Sequence, residues 1–371
     1  MTKMPIRLGL QQRVLPAYRA AFFDLLAAQC GHGLSVFAGD PRMSEAVGAT
    51  AVLENALHIQ ASNRHLLNGR FYFCWQSNFI SWLDHWQPDV LIVEANPRYL
   101  STPSAVRWMR RRKRPVLAWG LGAPGSVKRG GIVKGAFHLW RQSFFNQFDA
   151  LIAYSRQGAR EYAALGFSEE RIFTATNAVA PRPTGDLPTR RGAFDDKGPV
   201  VLYVGRLTAR KRIELLLRAC ASINSSPKPI VWIVGDGPER ERLQNIASET
   251  YPDTHFWGAL HGEALSERYQ AADLFVLPGT GGLAVQQAMS HGLPVIVAEA
   301  DGTQADLVNK TNGWLVQAGR QDLLASAIED ALGDVESLRA KGQCAYQITK
   351  EKVNIENMVA VFSQAIMSVL E

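Results

Sequence analysis

Short runs of β-branched and other apolar residues alternate along the whole chain with longer stretches whose apolar positions recur at helical spacing. That alternation is the signature of strand-helix-strand units, so the chain reads as an α/β protein built on parallel sheets with helices on both faces. In the first half the pattern predicts strands at IRLGL, LSVFAGD, VLENALHI, DVLIVEA, RPVLAWG and DALIAYS, with a last short one at RIFTATN. Helices are predicted between them at YRAAFFDLLAAQC, NFISWLDHWQ, SAVRWMRRRK, GAFHLWRQSFF and RQGAREYAALG. Around residues 179–198 the chain turns rich in Pro, Gly and charge and loses all period, as a linker does. The alternation then restarts through VVLYVG, RIELLLRACASI, IVWIVGDG, RERLQNIASE, THFWGAL, LSERYQAA, LFVLPGT, LAVQQAMSHG and PVIVA, and the helical VNIENMVAVFSQAIMSVL closes it.

At 371 residues the chain exceeds what one hydrophobic core usually serves, so two domains are expected. The pattern divides it into a first domain over residues 1–180, a second over 181–350, and a terminal helix over 351–371 expected to pack back on the first. In open parallel sheets of this kind ligands bind beyond the carboxyl ends of the strands, and a central cleft between two such domains is the expected site. A composition of 47% hydrophobic and 20% charged residues excludes a disordered or collagen-like chain. The apolar stretches are strand-length, far short of a membrane span, and the start MTKMP leads into a strand without a leader pattern. The expectation is an unprocessed cytoplasmic protein. Cys30, Cys74, Cys220 and Cys344 lie far apart without metal or redox spacing, and are expected to be buried free thiols. The net charge of +6 hides an asymmetry, because residues 1–180 carry 21 Lys and Arg against 11 Asp and Glu, a net of +10 that leaves −4 for the rest. A basic first half points to an anionic partner.

Three segments of the second half carry candidate chemistry. LYVGRLTARKRIELLL places Gly205 and Arg206 just past a strand and Lys211 at the opening of a helix, where two cations suit a diphosphate and would stabilise it as a leaving group without a metal. A solvated basic face gives the same pattern. In WIVGDGPERERL, Gly235 and Gly237 let the backbone turn closely between strand and helix, as a tight turn with no ligand also requires. In LFVLPGTGGLAVQQAMSHGLPVI a strand ends at Pro278 and four small residues, Gly279, Thr280, Gly281 and Gly282, precede a helix opening near Leu283, so free N–H groups are available for a phosphate or a sugar hydroxyl. Gln286 and Gln287 follow one turn later, and the Gln287 amide suits ribose hydroxyls. A glycine loop needed only for close packing is the alternative.

Taken in order, FDALIAYSRQGAREYAALGFSEERIFTATNAV, VGRLTARKR, VGDGPE, HFWGAL, AADLFVLPG, GLPVI and DGTQADLVNKTNGWLV resemble the retaining glycosyltransferases of family 4 over residues from about 148 to 316. The resemblance implies the GT-B architecture of two facing Rossmann-like domains, a nucleotide-diphosphate sugar as donor, a saccharide or lipid-linked acceptor, and no cofactor or metal. It implies bacterial envelope or exported polysaccharide synthesis, and places the nucleotide base on backbone near Ala259. The family usually carries two glutamates flanking the small-residue loop, where this chain has Gly279 and Gln287, and a histidine where it has Leu121. A sugar-nucleotide epimerase or hydrolase on the same architecture, or a silent nucleotide-sugar-binding subunit, are the alternatives.

On the acceptor side, Glu94 ends the strand DVLIVEA, where a carboxylate can take the proton of an acceptor hydroxyl. Pairing with Arg98 is its structural alternative. Gln11, Gln12 and Arg13 are expected in a loop after the first strand, with Arg13 reaching the donor phosphates. The basic stretches WMRRRKRP and VKRGGIVKGAFHLWRQSFF carry Trp108, Phe137, Trp140, Phe144 and Phe145 at helical spacing, which suits an anionic membrane surface and peripheral attachment to its inner face. Nucleic acid is the competing partner and is not expected, and aromatics at this spacing also suit a core. GLGAPG, Gly120 to Gly125, satisfies a dinucleotide fingerprint, but Pro124 and the basic run after it fit that reading poorly.

Overall fold

The computed structural model describes residues 3–42, 52–67, 69, 72–123, 132–194, 198–224 and 227–370, without the side chains of 132–137. The chain forms two compact units, one of Met1–Val179 with Ile355–Glu371, the other of Ala180–Asn354.

The first unit runs β1 (Leu8–Val14), α1 (Ala20–Ala28), β2 (Leu34–Gly39), β3 (Leu57–Ala61), β4 (Asn63–Leu66), β5 (Phe73–Gln76), α2 (Phe79–Trp86), β6 (Val90–Glu94), α3 (Thr102–Arg110), β7 (Val116–Gly120), α4 (Ile132–Phe145), β8 (Ala150–Ala153), α5 (Arg156–Ala163) and β9 (Ile172–Thr174). Seven strands form one parallel sheet in the order β3-β2-β1-β6-β7-β8-β9, and β4 and β5 pair separately as an antiparallel hairpin. Strands covered on both faces read as unbroken apolar runs, which is why LSVFAG and VLIV are buried along their length. The predicted strand from Val52 begins only at Leu57, because the amides of Glu54, Asn55 and Ala56 all donate to the Asp24 carboxylate instead of a ladder.

The second unit runs β10 (Val200–Val204), α6 (Ile213–Ser222), β11 (Ile230–Val234), α7 (Arg240–Thr250), β12 (Thr254–Gly258), α8 (Gly262–Ala271), β13 (Leu274–Leu277), α9 (Leu283–Ser290), β14 (Val295–Ala298), α10 (Gln304–Leu307), β15 (Gly313–Val316), α11 (Gln321–Gly333) and α12 (Val335–Glu351). Its parallel sheet has the order β12-β11-β10-β13-β14-β15, so the strand order reverses between β10 and β13. A crevice opens at such a reversal, beyond the carboxyl ends of the two strands. The segment read as a linker has no regular structure, yet it is docked on this unit: the guanidinium of Arg190 donates to the carbonyls of Tyr269, Gln270, Ala272, His291 and Gly292.

The last helix, α13 (Ile355–Met367), belongs to the first unit and covers one face of its sheet beside α1. Phe362 sets its ring against Phe22 and Trp119, each at 4.9 Å. Cys30, Cys74 and Cys220 are buried free thiols, but Cys344 is exposed on α12, contrary to expectation. Among the described residues no helix is long and apolar enough to cross a membrane.

Candidate active site

In the second unit the candidate residues gather where the strand order reverses. β13 delivers Pro278, and the loop Gly279 to Gly282 follows before α9 opens with Gly282 as its N-cap and no side-chain cap. Uncapped first-turn amides favour an anion there. The loop is tied down on two sides. The Lys211 ammonium donates to the Thr280 carbonyl at 2.6 Å and the Thr280 amide to the Arg210 carbonyl at 3.2 Å, while Gln304 Nε2 donates to the Gly281 carbonyl at 2.7 Å. Gly279 is buried with no room for a side chain: a Cβ there would stand 2.4 Å from the Arg210 carbonyl oxygen and 2.5 Å from the Lys211 carbonyl carbon.

Lys211 does not open α6, as the sequence suggested. It closes a single turn over Ala209–Lys211, and Arg212 in the left-handed region separates that turn from the helix. Burial and the neighbouring Arg210 lower its pKa to about 8, with Asp301 opposing them. Arg206 stands exposed after Gly205, in the irregular stretch between β10 and the Ala209–Lys211 turn. Gly235 and Gly237 serve the packing of loops on one another, since a Cβ at Gly235 would meet the Gly205 carbonyl at 1.9 Å and one at Gly237 the Leu207 carbonyl at 2.3 Å. Ala259 is exposed just past β12. Gln287 is half-buried on α9 and accepts from the Tyr269 hydroxyl at 3.5 Å, a long contact.

In the first unit, Glu94 ends β6 and its carboxylate accepts from the Arg13 amide at 3.1 Å and from the Tyr99 hydroxyl. These partners replace the pairing with Arg98 weighed from the sequence. Desolvation pushes the Glu94 carboxyl upward, opposed by Tyr99, Arg13 and Arg19. Arg13 lies within β1, which runs to Val14 through an irregularity in its pairing with β2, and not in a loop. The same strand buries Gln11, whose side chain bonds Gln76 at 2.7 Å and the Glu94 amide at 3.0 Å.

Residues 189–347 match the family described as glycosyl transferases group 1, and residues 17–178 match the glycosyl transferase 4-like domain. The chain is 28% identical over 255 residues to the lipopolysaccharide core biosynthesis glycosyltransferase LpsE of Rhizobium meliloti, covering 64% of this chain and 72% of that protein. It is 39% identical over 183 residues to a GDP-mannose-dependent alpha-mannosyltransferase of Mycolicibacterium smegmatis, covering 48% and 46%. Among solved structures, Anabaena HepE in complex with UDP superposes with a TM-score of 0.73 at 16% identity, covering 99% of this chain and all of that one. The lipopolysaccharide outer core galactosyltransferase WaaB superposes at 0.70 with 18% identity, covering 97% and 99%. The chain is a GT-B glycosyltransferase. The named relatives are transferases, which disfavours the epimerase, hydrolase and silent-subunit readings.

Three features of this glycosyltransferase escape its sequence. Gln286, beside the residue singled out for ribose, is fully buried and ties α9 to the backbone of Ala180 and Val353. Tyr99, the partner of Glu94, and Arg19, buried nearby, gave no local signal. Of the aromatics assigned to a membrane surface, Trp108, Phe144 and Phe145 lie in the core of the first unit, which removes them from that role, while Trp140 is exposed and the Phe137 side chain lies outside the described residues. Leu121 is exposed, and Pro124 and Gly125 of the dinucleotide-like string also lie outside the described residues.

Proposed function

We propose that this glycosyltransferase moves a hexosyl group, with retention at the anomeric carbon, from a nucleoside-diphosphate sugar to a hydroxyl of a saccharide or lipid-linked acceptor in bacterial envelope or exported polysaccharide synthesis. The observation that carries the reading is the Lys211 ammonium fixed against the loop at the strand-order reversal, beside the uncapped start of α9. Lys211 and Arg206 neutralise the leaving diphosphate, and the backbone from Gly279 to Leu283 receives its oxygens and the donor sugar. Gly205, Gly235 and Gly237 shape the floor, Ala259 offers backbone to the base, and Gln287 holds the ribose. Glu94, a carboxylate whose desolvation makes it a stronger base than an ordinary one, accepts the acceptor proton, and Arg13 contributes positive charge. With cations in the role of the Lewis acid, transfer proceeds without a metal. The names of the relatives, lipopolysaccharide core and mannosyl transferases, support the destination, and the net charge of residues 1–180 supports peripheral attachment to an anionic inner membrane face.

Calorimetry with UDP and GDP, followed by a screen of nucleotide sugars with and without saccharide acceptors in EDTA, tests the reading. Nucleoside-diphosphate binding and acceptor-dependent donor consumption are expected. Donor consumed at the same rate without acceptor, or activity restored only by magnesium or manganese, would overturn the transfer or the metal-free step respectively.

A further inference from the structure

Arg19 is the most unusual charge in the first unit. Its residue is only 4% exposed, a degree of burial at which arginine is normally paired. Among the described residues, however, no carboxylate forms an ion pair with it. The hydrogen bond it does make runs from Nη1 to the Met358 thioether at 3.8 Å, a weak acceptor for one of five N–H donors. Glu94 is close enough for the charges to interact, but among the described residues no hydrogen bond or ion pair joins the two side chains.

Two further observations point the same way. Arg19 closes a single 3-10 turn over Ala17–Arg19 that runs directly into α1, and neither has an acidic residue in its first turn. The guanidinium lies 4.7 Å over the Trp119 ring and 5.7 Å from that of Tyr154, which soften its desolvation by cation-π attraction but accept no N–H bond in the plane of the fork. The indole N–H of Trp119 is itself buried without an acceptor among the described residues. Among the described residues, the donors of Arg19 and Trp119 therefore gather in one place with only the Met358 thioether to accept from them.

We propose that Arg19 is a binding residue for an oxyanion carried by the acceptor, a phosphate ester or a carboxylate on the sugar that receives the transferred group. This rests on the reading of the chain as a transferase whose first unit takes the acceptor. A guanidinium fork matches both oxyanions in a bidentate manner, and its preference for them over a neutral sugar selects the substrate class.

The test uses the whole chain carrying Lys211→Ala, which weakens phosphate binding at the donor loop. Glucose 6-phosphate, glucuronate and glucose are titrated by calorimetry. One or both anionic sugars are expected to bind where glucose does not, the stronger of the two naming the oxyanion. Arg19→Met is expected to weaken that binding at least about tenfold while holding or raising the melting temperature, because an apolar side chain of similar length replaces an unpaired buried charge. Arg19→Lys, the variant to rely on should Arg19→Met fail to fold, keeps the charge, loses the fork and is expected to bind severalfold more weakly. Anionic sugars that bind no better than glucose, or equally well to the Arg19 variants, would overturn the proposal. UDP and GDP titrated into Arg19→Met with Lys211 intact report on the donor site, so loss of donor binding is told apart from loss of the oxyanion site.

Discussion

The Lys211 ammonium donates to the Thr280 carbonyl at 2.6 Å, which fixes a cation against the small-residue loop and leaves two of its donors for a ligand. Replacing Lys211 or Arg206 by Ala is expected to weaken nucleoside-diphosphate binding by about 1–3 kcal/mol, the scale of a charge-assisted hydrogen bond. Calorimetry checks this, and unchanged affinity in both variants would remove them from the donor site.

The lowered pKa of Lys211 gives that interaction a pH signature. With a value of about 8, free Lys211 loses its proton as pH rises through that range, so diphosphate affinity falls there, and Lys211→Arg abolishes the fall. Folding stability moves the other way. The unfolded chain holds this proton up to about 10.5, so between about 8 and 10.5 the contribution of Lys211 to stability improves with pH. Affinity that is flat from pH 7 to 9 would contradict the coupling.

Gly279 stands where the sequence resemblance aligns a family glutamate, and the structure shows what occupies that space. The backbone of Arg210 and Lys211 comes so close that even a methyl group must displace it. Gly279→Ala is expected to lower stability by about 1–3 kcal/mol and to weaken nucleotide binding by moving Lys211, with Gly279→Glu worse. A Glu variant that folds and melts like the parent would show that the loop has more freedom than this contact implies.

Apart from β15 and the helices α10, α11 and α12, which the pattern did not predict, the strands and helices of both sheets were legible because each buries a continuous apolar run or a helical stripe. The end of β1 was not. Gln11, Gln12 and Arg13 look like a polar loop, yet both glutamines are buried, and the strand persists because Gln76 and the Glu94 backbone satisfy Gln11 from elements more than sixty residues away. The hairpin of β4 and β5 was missed for another reason: its strands are only four residues each, and β4 is mostly polar. At the site, glycines and cations were found by their spacing, whereas Arg19 and Tyr99 depend on which strand ends become neighbours, and no local pattern records that.

Phe362 tests the attachment of the terminal helix. It is fully buried between Phe22 and Trp119, so Phe362→Ala is expected to cost about 3–5 kcal/mol. The loss falls on the first unit, and hydrogen exchange should show faster opening of β7 and β8 with β10 to β15 unaffected. Uniform destabilisation of both sheets would contradict the division into units.

Glu94 provides a second pH test. Its carboxyl is pushed above the ordinary value by desolvation, so the folded state holds the proton more tightly than the unfolded one, and the group costs stability once pH exceeds the ordinary carboxylate range. Glu94→Gln removes the charge and keeps an acceptor for the Arg13 amide. The stability of the variant relative to the parent should therefore rise from acid toward neutral pH, measured by urea unfolding at several pH values. A difference independent of pH would mean that Glu94 titrates normally.

Gln286 and Gln287 are adjacent in sequence and separate in role, and the contrast between them decides the ribose assignment. Gln286 has no exposed surface and bonds the backbone of Ala180 and Val353, so Gln286→Ala should leave those groups unpaired and cost about 1–3 kcal/mol of stability. Gln287 is half-buried, and of its side-chain amide only the oxygen has a partner among the described residues, the Tyr269 hydroxyl at 3.5 Å. Burial pushes the Tyr269 pKa far upward, so that hydroxyl stays a donor, and a carboxylate at position 287 would accept from it as the amide does. Ribose hydroxyls can likewise pair with either group. Gln287→Glu should therefore fold normally and keep much of the nucleotide affinity, whereas Gln287→Ala should lose about 1 kcal/mol of affinity with little change in melting temperature. If instead Gln287 serves only its contact with Tyr269, the Ala variant would bind nucleotide as tightly as the parent, because no ligand group loses a partner. Nucleotide calorimetry and thermal melts on the three variants separate these outcomes, and Ala binding at parental strength would reject the ribose contact.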